Sequence, residues 1–270
     1  MNLWILSLNL RREYKLVHWG IGTSSGNGLH QTKNSISRIR DLLTRFSDAQ
    51  VLYSSFALPL FSSVVRKKTY IANNTVLSKL SQDFSTHEKD SVLFIGALNS
   101  RKGLEVLLEA FSKLLLKQPG RLKKLVLIGD GPMRSRLERM AEDLGIKENI
   151  RFVGNIDSEE DKIGYYRSAA ISVSPYQAGL SVLECFSYGV PFIAFKNAIS
   201  GGEHLNIVSG ETGYLINSKD ELVERLLDID NQHSLAQKLG ENAFKHYRSK
   251  RTMGNMVDSF FQAFDFAVNR

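Results

Sequence analysis

The chain has 270 residues, 43% of them apolar and 23% charged, with a formal charge of +7. This balance excludes a disordered chain, and the length allows one or two domains. One cysteine excludes an internal disulfide framework and reads as a buried thiol of a reducing compartment, and no apolar run reaches the roughly 18 residues of a spanning helix.

The opening MNLWILSLNL lacks a basic flank before it and reads as a strand or a short interfacial piece, with a signal peptide as the lesser alternative. Lys15 to Trp19 reads as a strand leading into the loop GIGTSSGNGLH, which is too loose for a nucleotide fingerprint. Ile36, Ile39, Leu42, Leu43 and Phe46 form a 3.6-period stripe, so 36–46 is predicted helical. A strand over 50–54, a helix over 58–66 and a short extended piece at Tyr70–Ile71 follow. Three or four strands are fewer than a complete Rossmann-like half needs. Residues 79–90 are polar and unpatterned, the composition of a domain boundary.

From Ser91 the pattern is regular. Strands at 92–95, 124–128, 150–153, 171–173 and 191–195 alternate with helices at 104–116, 133–144, 161–169 and 180–188, with glycines closing the first three strands. Uniformly apolar strands separated by amphipathic helices predict a doubly wound parallel sheet covered on both faces. A further strand at 214–216 and helices over 220–227 and 232–246 close this domain. The last run, 251–268, is apolar on one face and must lie at the domain junction or return to the first domain. The expected division is therefore 1–85, 86–250 and a C-terminal helix over 251–270.

Two features invite a ligand. The loop Gly96 to Gly103 has glycines at both ends and places Arg101 and Lys102 at a helix start, an arrangement suited to a diphosphate or equally to a solvated surface loop. Glu184 stands alone among Val182, Leu183, Cys185 and Phe186, where an unexplained carboxylate is unusual. Neither GxGxxG nor GxxxxGK[ST] follows the first strand, which argues against an NAD-linked dehydrogenase and a kinase-like NTPase. The charge is uneven, with 12 Lys/Arg against 6 Asp/Glu in residues 1–90. This reads as a basic surface or as attraction to an anion such as a nucleotide diphosphate, a lipid-linked phosphate or an acidic membrane face. No nucleic-acid-binding spacing is present.

The segments FIGALNSRKGLEVLLEAF, LVLIGDGPMRSRLE, IRFVGNI and YYRSAAISVSPYQAGLSVLECFSYGVPFIAF, with the turns at Gly201–Gly202 and 210–213, together resemble family 4 of the GT-B glycosyltransferases, the bacterial capsular and lipopolysaccharide enzymes. The resemblance is dense over 91–216. It implies an α/β fold of GT-B type: one complete Rossmann-like domain plus a partial or reduced N-terminal α/β domain. It also implies retaining transfer of a sugar from a UDP- or GDP-linked donor to a glycan or lipid-linked acceptor, without a cofactor or bound metal. Lys102 matches the family's diphosphate-binding lysine. Ala97 stands where an arginine is usual, and Arg101 is the expected substitute. Glu184 matches the second glutamate of E-x7-E, which binds the donor ribose, while the first falls on Tyr176. Gly96, Gly179 and Leu180 complete the implied donor-binding set. LVHWGIG resembles the segment where the family carries a His-Gly, here Ile21, with His18 three residues earlier as a candidate catalytic group beside Arg101 and Lys102. After Gly201–Gly202 the family's Pro-Glu is His204–Leu205.

The implied protein is a cytoplasmic glycosyltransferase of surface polysaccharide synthesis, with peripheral contact to the inner face of the membrane left open and nucleic acid not a partner. The alternative is a catalytically weak nucleotide-sugar-binding module of the same fold. The short N-terminal part is either a fragment or a reduced acceptor domain.

Overall fold

Nine short strands form two separate parallel sheets in a computed structural model that describes residues 14–23, 34–78, 89–117 and 120–269. The opening segment 1–13, most of the Gly/Ser loop and most of the expected boundary at 79–90 lie outside the described residues. Two compact units result: residues 1–75 with 251–270, and residues 76–250. The C-terminal helix is grouped with the first unit.

The smaller unit contains β1 (Val17–Gly20), β2 (Ala49–Leu52) and β3 (Thr69–Ile71), paired in that order and all parallel. The C-terminal helix (Met253–Val268) lies on this sheet: Ala263 and Ala267 are buried with Ala49, Val51 and Ala72, and Phe260 meets Trp19 edge to face at 5.3 Å. The other side packs Leu52, Ala57, Leu60, Phe61 and Val65. The expected helix over 58–66 is instead a 3₁₀ segment, Ser55–Leu60, and a single turn, Ser63–Arg66. Phe61 and Ser62 between them are extended, with ψ 151° and 161°, which interrupts the helix. The predicted helix over 36–46 forms as Ser35–Arg45, with Asn34 and Ser37 in a reciprocal cap. Its apolar stripe does not face a core, however. Ile36, Ile39 and Leu42 are each more than half exposed, whereas Ser37 and Thr44 are buried.

The larger unit has six parallel strands: β4 (Ser91–Ile95), β5 (Lys124–Ile128), β6 (Ile150–Gly154), β7 (Ala169–Val173), β8 (Phe192–Phe195) and β9 (Gly213–Ile216), in the spatial order β6-β5-β4-β7-β8-β9. Alternate residues of each strand point to opposite faces, and both faces are covered. Val92 and Phe94 face a core shared with the helices Leu104–Lys117, Arg134–Asp143 and Lys219–Asn231. Leu93 faces the other core, built with Ser181–Ser187 and His233–Lys250. Phe94 and Leu107 are fully buried, and truncating either to Ala belongs to the class of change that costs roughly 3 kcal/mol.

The strand order decides where a ligand can lie. The chain leaves β4 towards β5 and β6, then returns to place β7 on the other side of β4. Loops after β4 and β7 therefore run in opposite directions, leaving a crevice at the carboxyl ends of these two strands.

Candidate functional site

The crevice is lined by the segment after β4, Gly96–Gly103, and the segment after β7, Ser174–Leu180. In the first, Asn99 caps a single 3₁₀ turn, Ser100–Lys102, its Oδ1 accepting from the Arg101 amide at 3.1 Å. Gly103 then takes φ +67°, which reverses the chain into the helix Leu104–Lys117. The turn folds Lys102 back over Gly96: a Cβ on Gly96 would lie 3.6 Å from Lys102 Nζ. Lys102 Nζ donates to the Gln177 carbonyl at 3.3 Å, joining the two loops. Its pKa is held below that of an ordinary lysine, first by burial and then by Arg101, with Glu203 opposing the shift. An ammonium kept partly out of water beside a second cation is poised to gain from an arriving anion.

Tyr176 packs its ring on the backbone of Gly103, where a Cβ would come within 2.4 Å of it, and stands 5.2 Å from the Phe195 ring centroid. Gly179 has nothing within 4 Å of the place a Cβ would occupy, so the backbone is open to close approach there. Leu180, 40% exposed, precedes the helix Ser181–Ser187. Glu184 lies in the first turn of that helix and pairs with Lys162 of the helix Glu159–Ser168, Nζ to Oε1 2.5 Å. Both side chains are largely shielded from water. The charge of Glu184 helps to raise the pKa of Tyr166 and of Cys185, though burial is the main cause for each. The buried Cys185 thiol is thereby kept protonated.

A third segment closes the group. Gln177 bridges to Ile199, Ala178 N donates to the Ile199 carbonyl at 3.0 Å, and Ile199 N donates to the Tyr176 carbonyl at 2.7 Å. This pairing draws the turn after Ile199 to the crevice. Glu203, only 7% exposed, accepts from Ser200 Oγ at 2.9 Å and Gly201 N at 2.8 Å.

Gly96, Arg101, Lys102, Tyr176, Gly179 and Leu180 are thus gathered on the β4 and β7 loops, and Glu184 sits one turn into the helix that the second loop feeds. His18 is on β1, in the smaller unit. Its pKa is lowered, chiefly by burial and also by positive charge including Arg40, and its Nδ1 is buried without a hydrogen-bond partner. Lys162 and Glu203 carry no signal in the sequence. Lys162 stands in SEEDK, which looks like a solvated charge run, and Glu203 directly follows the glycine pair without matching any expected motif.

A cleft lined by Asp90, Ser91, Lys124, Arg151 and Ser168 lies at the amino ends of the strands, away from these groups. Among the described residues no set of three or more His, Cys, Asp or Glu is placed to hold a metal ion, and no helix is long and apolar enough to cross a membrane.

Two parallel-sheet α/β units, the larger doubly wound with a cationic crevice at its switch point, define a GT-B type protein. The UDP complex of HepE from Anabaena aligns with a TM-score of 0.73 at 16% identity, over 96% of this chain and 74% of that one. The C-terminal domain of the group 1 glycosyl transferase LpcC from Francisella tularensis aligns at 0.54 and 24% identity, over 62% and 88%. The chain belongs to the family described as Glycosyl transferases group 1, which residues 79–246 match. It is 34% identical over 170 residues to D-inositol 3-phosphate glycosyltransferase 2 of Catenulispora acidiphila, covering 57% of this chain and 38% of that protein. It is 30% identical over 163 residues to the D-rhamnosyltransferase WbpZ of Pseudomonas aeruginosa, covering 58% and 40%. The matched stretch thus spans about two fifths of these relatives.

Proposed function

We propose that the larger unit binds a nucleotide sugar, UDP- or GDP-linked, and that the protein transfers its sugar with retention to a glycan or lipid-linked acceptor of a surface polysaccharide. The observation that carries this reading is Lys102, folded over Gly96 at the switch point of the sheet. The diphosphate lies against Lys102 and Arg101, with the open backbone at Gly179 on its other side. The cations neutralise the charge that develops on the leaving diphosphate, in a site where burial strengthens the interaction. Glu184 accepts from the ribose hydroxyls, and Lys162 steadies the carboxylate and offsets the penalty of covering it. UDP in the structure of a similarly folded protein supports the nucleotide assignment.

The reaction itself takes place in the cytoplasm in this reading, at the inner face of a membrane. The exposed Ile36, Ile39 and Leu42, carried with Arg38 and Arg45 on one helix, support a peripheral contact there. A second reading, a binding module with little turnover, is favoured by one observation: the position of the first family glutamate carries Tyr176, whose ring is committed to Gly103 and Phe195.

Calorimetric titration with UDP and GDP tests the nucleotide site, and Glu184→Gln should weaken binding of the preferred nucleotide by about tenfold through its ribose contacts. Unchanged affinity in that variant removes Glu184 from the site. Release of free sugar from donors of the preferred nucleotide, measured with and without a lipid-linked acceptor, separates enzyme from module. Binding with no turnover supports the module.

A further inference from the structure

The pairing of residues 176–178 with Ile199 brings a buried carboxylate to the crevice that no family motif supplies. Glu203 begins a 3₁₀ turn, Glu203–Asn206, directly after Gly201 and Gly202. Ser200 is the hub of the turn. Its hydroxyl donates to Glu203 Oε2 and accepts from the amides of Gly202 at 3.1 Å and His204 at 3.2 Å. The carboxylate lies against Gly201 so closely that a Cβ there would be 3.1 Å from both oxygens. The Glu203 carbonyl in turn accepts from Asn206 Nδ2 at 2.8 Å. A buried anion fixed this firmly has a defined position rather than a mobile one.

Its place relative to the other charges is informative. Lys102 Nζ donates to the Gln177 carbonyl, and the same segment pairs with Ile199, so the chain that leads into the Glu203 turn is joined to Lys102 through Gln177. Glu184 pairs instead with Lys162, so the two carboxylates stand beside different cations. A nucleotide sugar whose nucleoside meets Glu184 and whose diphosphate meets Lys102 extends its sugar towards the turn that carries Glu203. A carboxylate in that position repels a bare phosphate and accepts hydrogen bonds from sugar hydroxyls, so it favours the glycosylated nucleotide over the free diphosphate.

We infer that Glu203 is a specificity-determining residue for the donor sugar, serving in this chain the end of the pocket where Tyr176 replaces a carboxylate. The inference rests on the proposed donor site, and the test separates the two. Dissociation constants are measured by calorimetry for UDP and GDP, and for UDP-glucose, UDP-N-acetylglucosamine and GDP-mannose, with the wild-type chain, Glu203→Gln and Glu203→Asp. The wild-type chain should bind at least one sugar nucleotide more tightly than its bare diphosphate. Glu203→Gln should reduce that preference by about tenfold while binding the bare diphosphate as well as before or better. Glu203→Asp, which keeps the charge, should retain part of the preference.

A preference unchanged in Glu203→Gln overturns the inference and leaves the nucleotide site standing. So does a wild-type chain that binds no sugar nucleotide more tightly than the bare diphosphate. Equal loss of bare and glycosylated nucleotides in both variants makes Glu203 a staple of its own turn and also overturns it. Failure of the wild-type chain to bind any of the five compounds overturns the donor-site reading itself, and this inference with it.

Discussion

Gly129→Ala should lower the melting temperature of the protein by about 10 °C and weaken nucleotide binding with it. Gly129 directly follows β5 with φ +128°, and a Cβ there would lie 2.1 Å from the carbonyl oxygen of Gly96, an overlap of backbone rather than of a side chain that could turn away. The strands cannot separate to relieve it. Gly96 N donates to the Ile128 carbonyl at 2.9 Å and Gly129 N to the Gly154 carbonyl at 2.8 Å, so three strand ends are tied together at this point. Backbone strain and overpacking each contribute of order 1–3 kcal/mol, together about 3 kcal/mol or more. Thermal unfolding followed by circular dichroism checks this, and a shift within about 2 °C would mean that the strand ends open more easily than the geometry requires. The same displacement moves Gly96, the floor beneath Lys102, which links the fold of three strand ends to the ligand site.

Lys102→Met should reduce affinity for UDP or GDP at least tenfold, about 1.4 kcal/mol or more, without lowering the melting temperature. Methionine keeps most of the aliphatic stem and removes the ammonium. In the free protein that ammonium gives up hydration and sits near Arg101, which the attraction of Glu203 and one hydrogen bond to a carbonyl at 3.3 Å only partly offset. Such a group contributes little to folding, and removing a poorly compensated buried cation is neutral or stabilising. With the diphosphate present the balance reverses, because a charge-assisted hydrogen bond forms where water is scarce. Loss of binding with stability retained is therefore the signature of a ligand-binding lysine. Loss of stability with binding retained would identify a structural one.

Most of the larger unit was legible from residues alone, because parallel strands buried on both faces write long apolar runs such as VLFI and LVLI, and glycines mark where they end. Lys102, Glu184 and Gly179 could be singled out for the same reason: each breaks a local pattern or punctuates it. The stripe Ile36, Ile39 and Leu42 predicted the helix correctly but not which side faces inward, since periodicity reports that a face is apolar and not what meets it. The apolar spacing over 58–66 did not show the extended break at Phe61–Ser62. Glu203 and Lys162 were illegible because their partners are distant in sequence. Lys162 meets Glu184 across a strand and its connections, and Glu203 reaches the crevice only through the pairing of Gln177 with Ile199. Long-range pairing of this kind leaves no local signature.

A crystal structure of the chain grown with UDP tests the central claim most directly. Diphosphate oxygens should lie within hydrogen-bonding distance of Lys102 Nζ and the Gly179 region, with the ribose hydroxyls on the Glu184 carboxylate. Nucleotide bound elsewhere on the larger unit, with Lys102 still donating to Gln177 and Glu184 touching no part of the ligand, would contradict it.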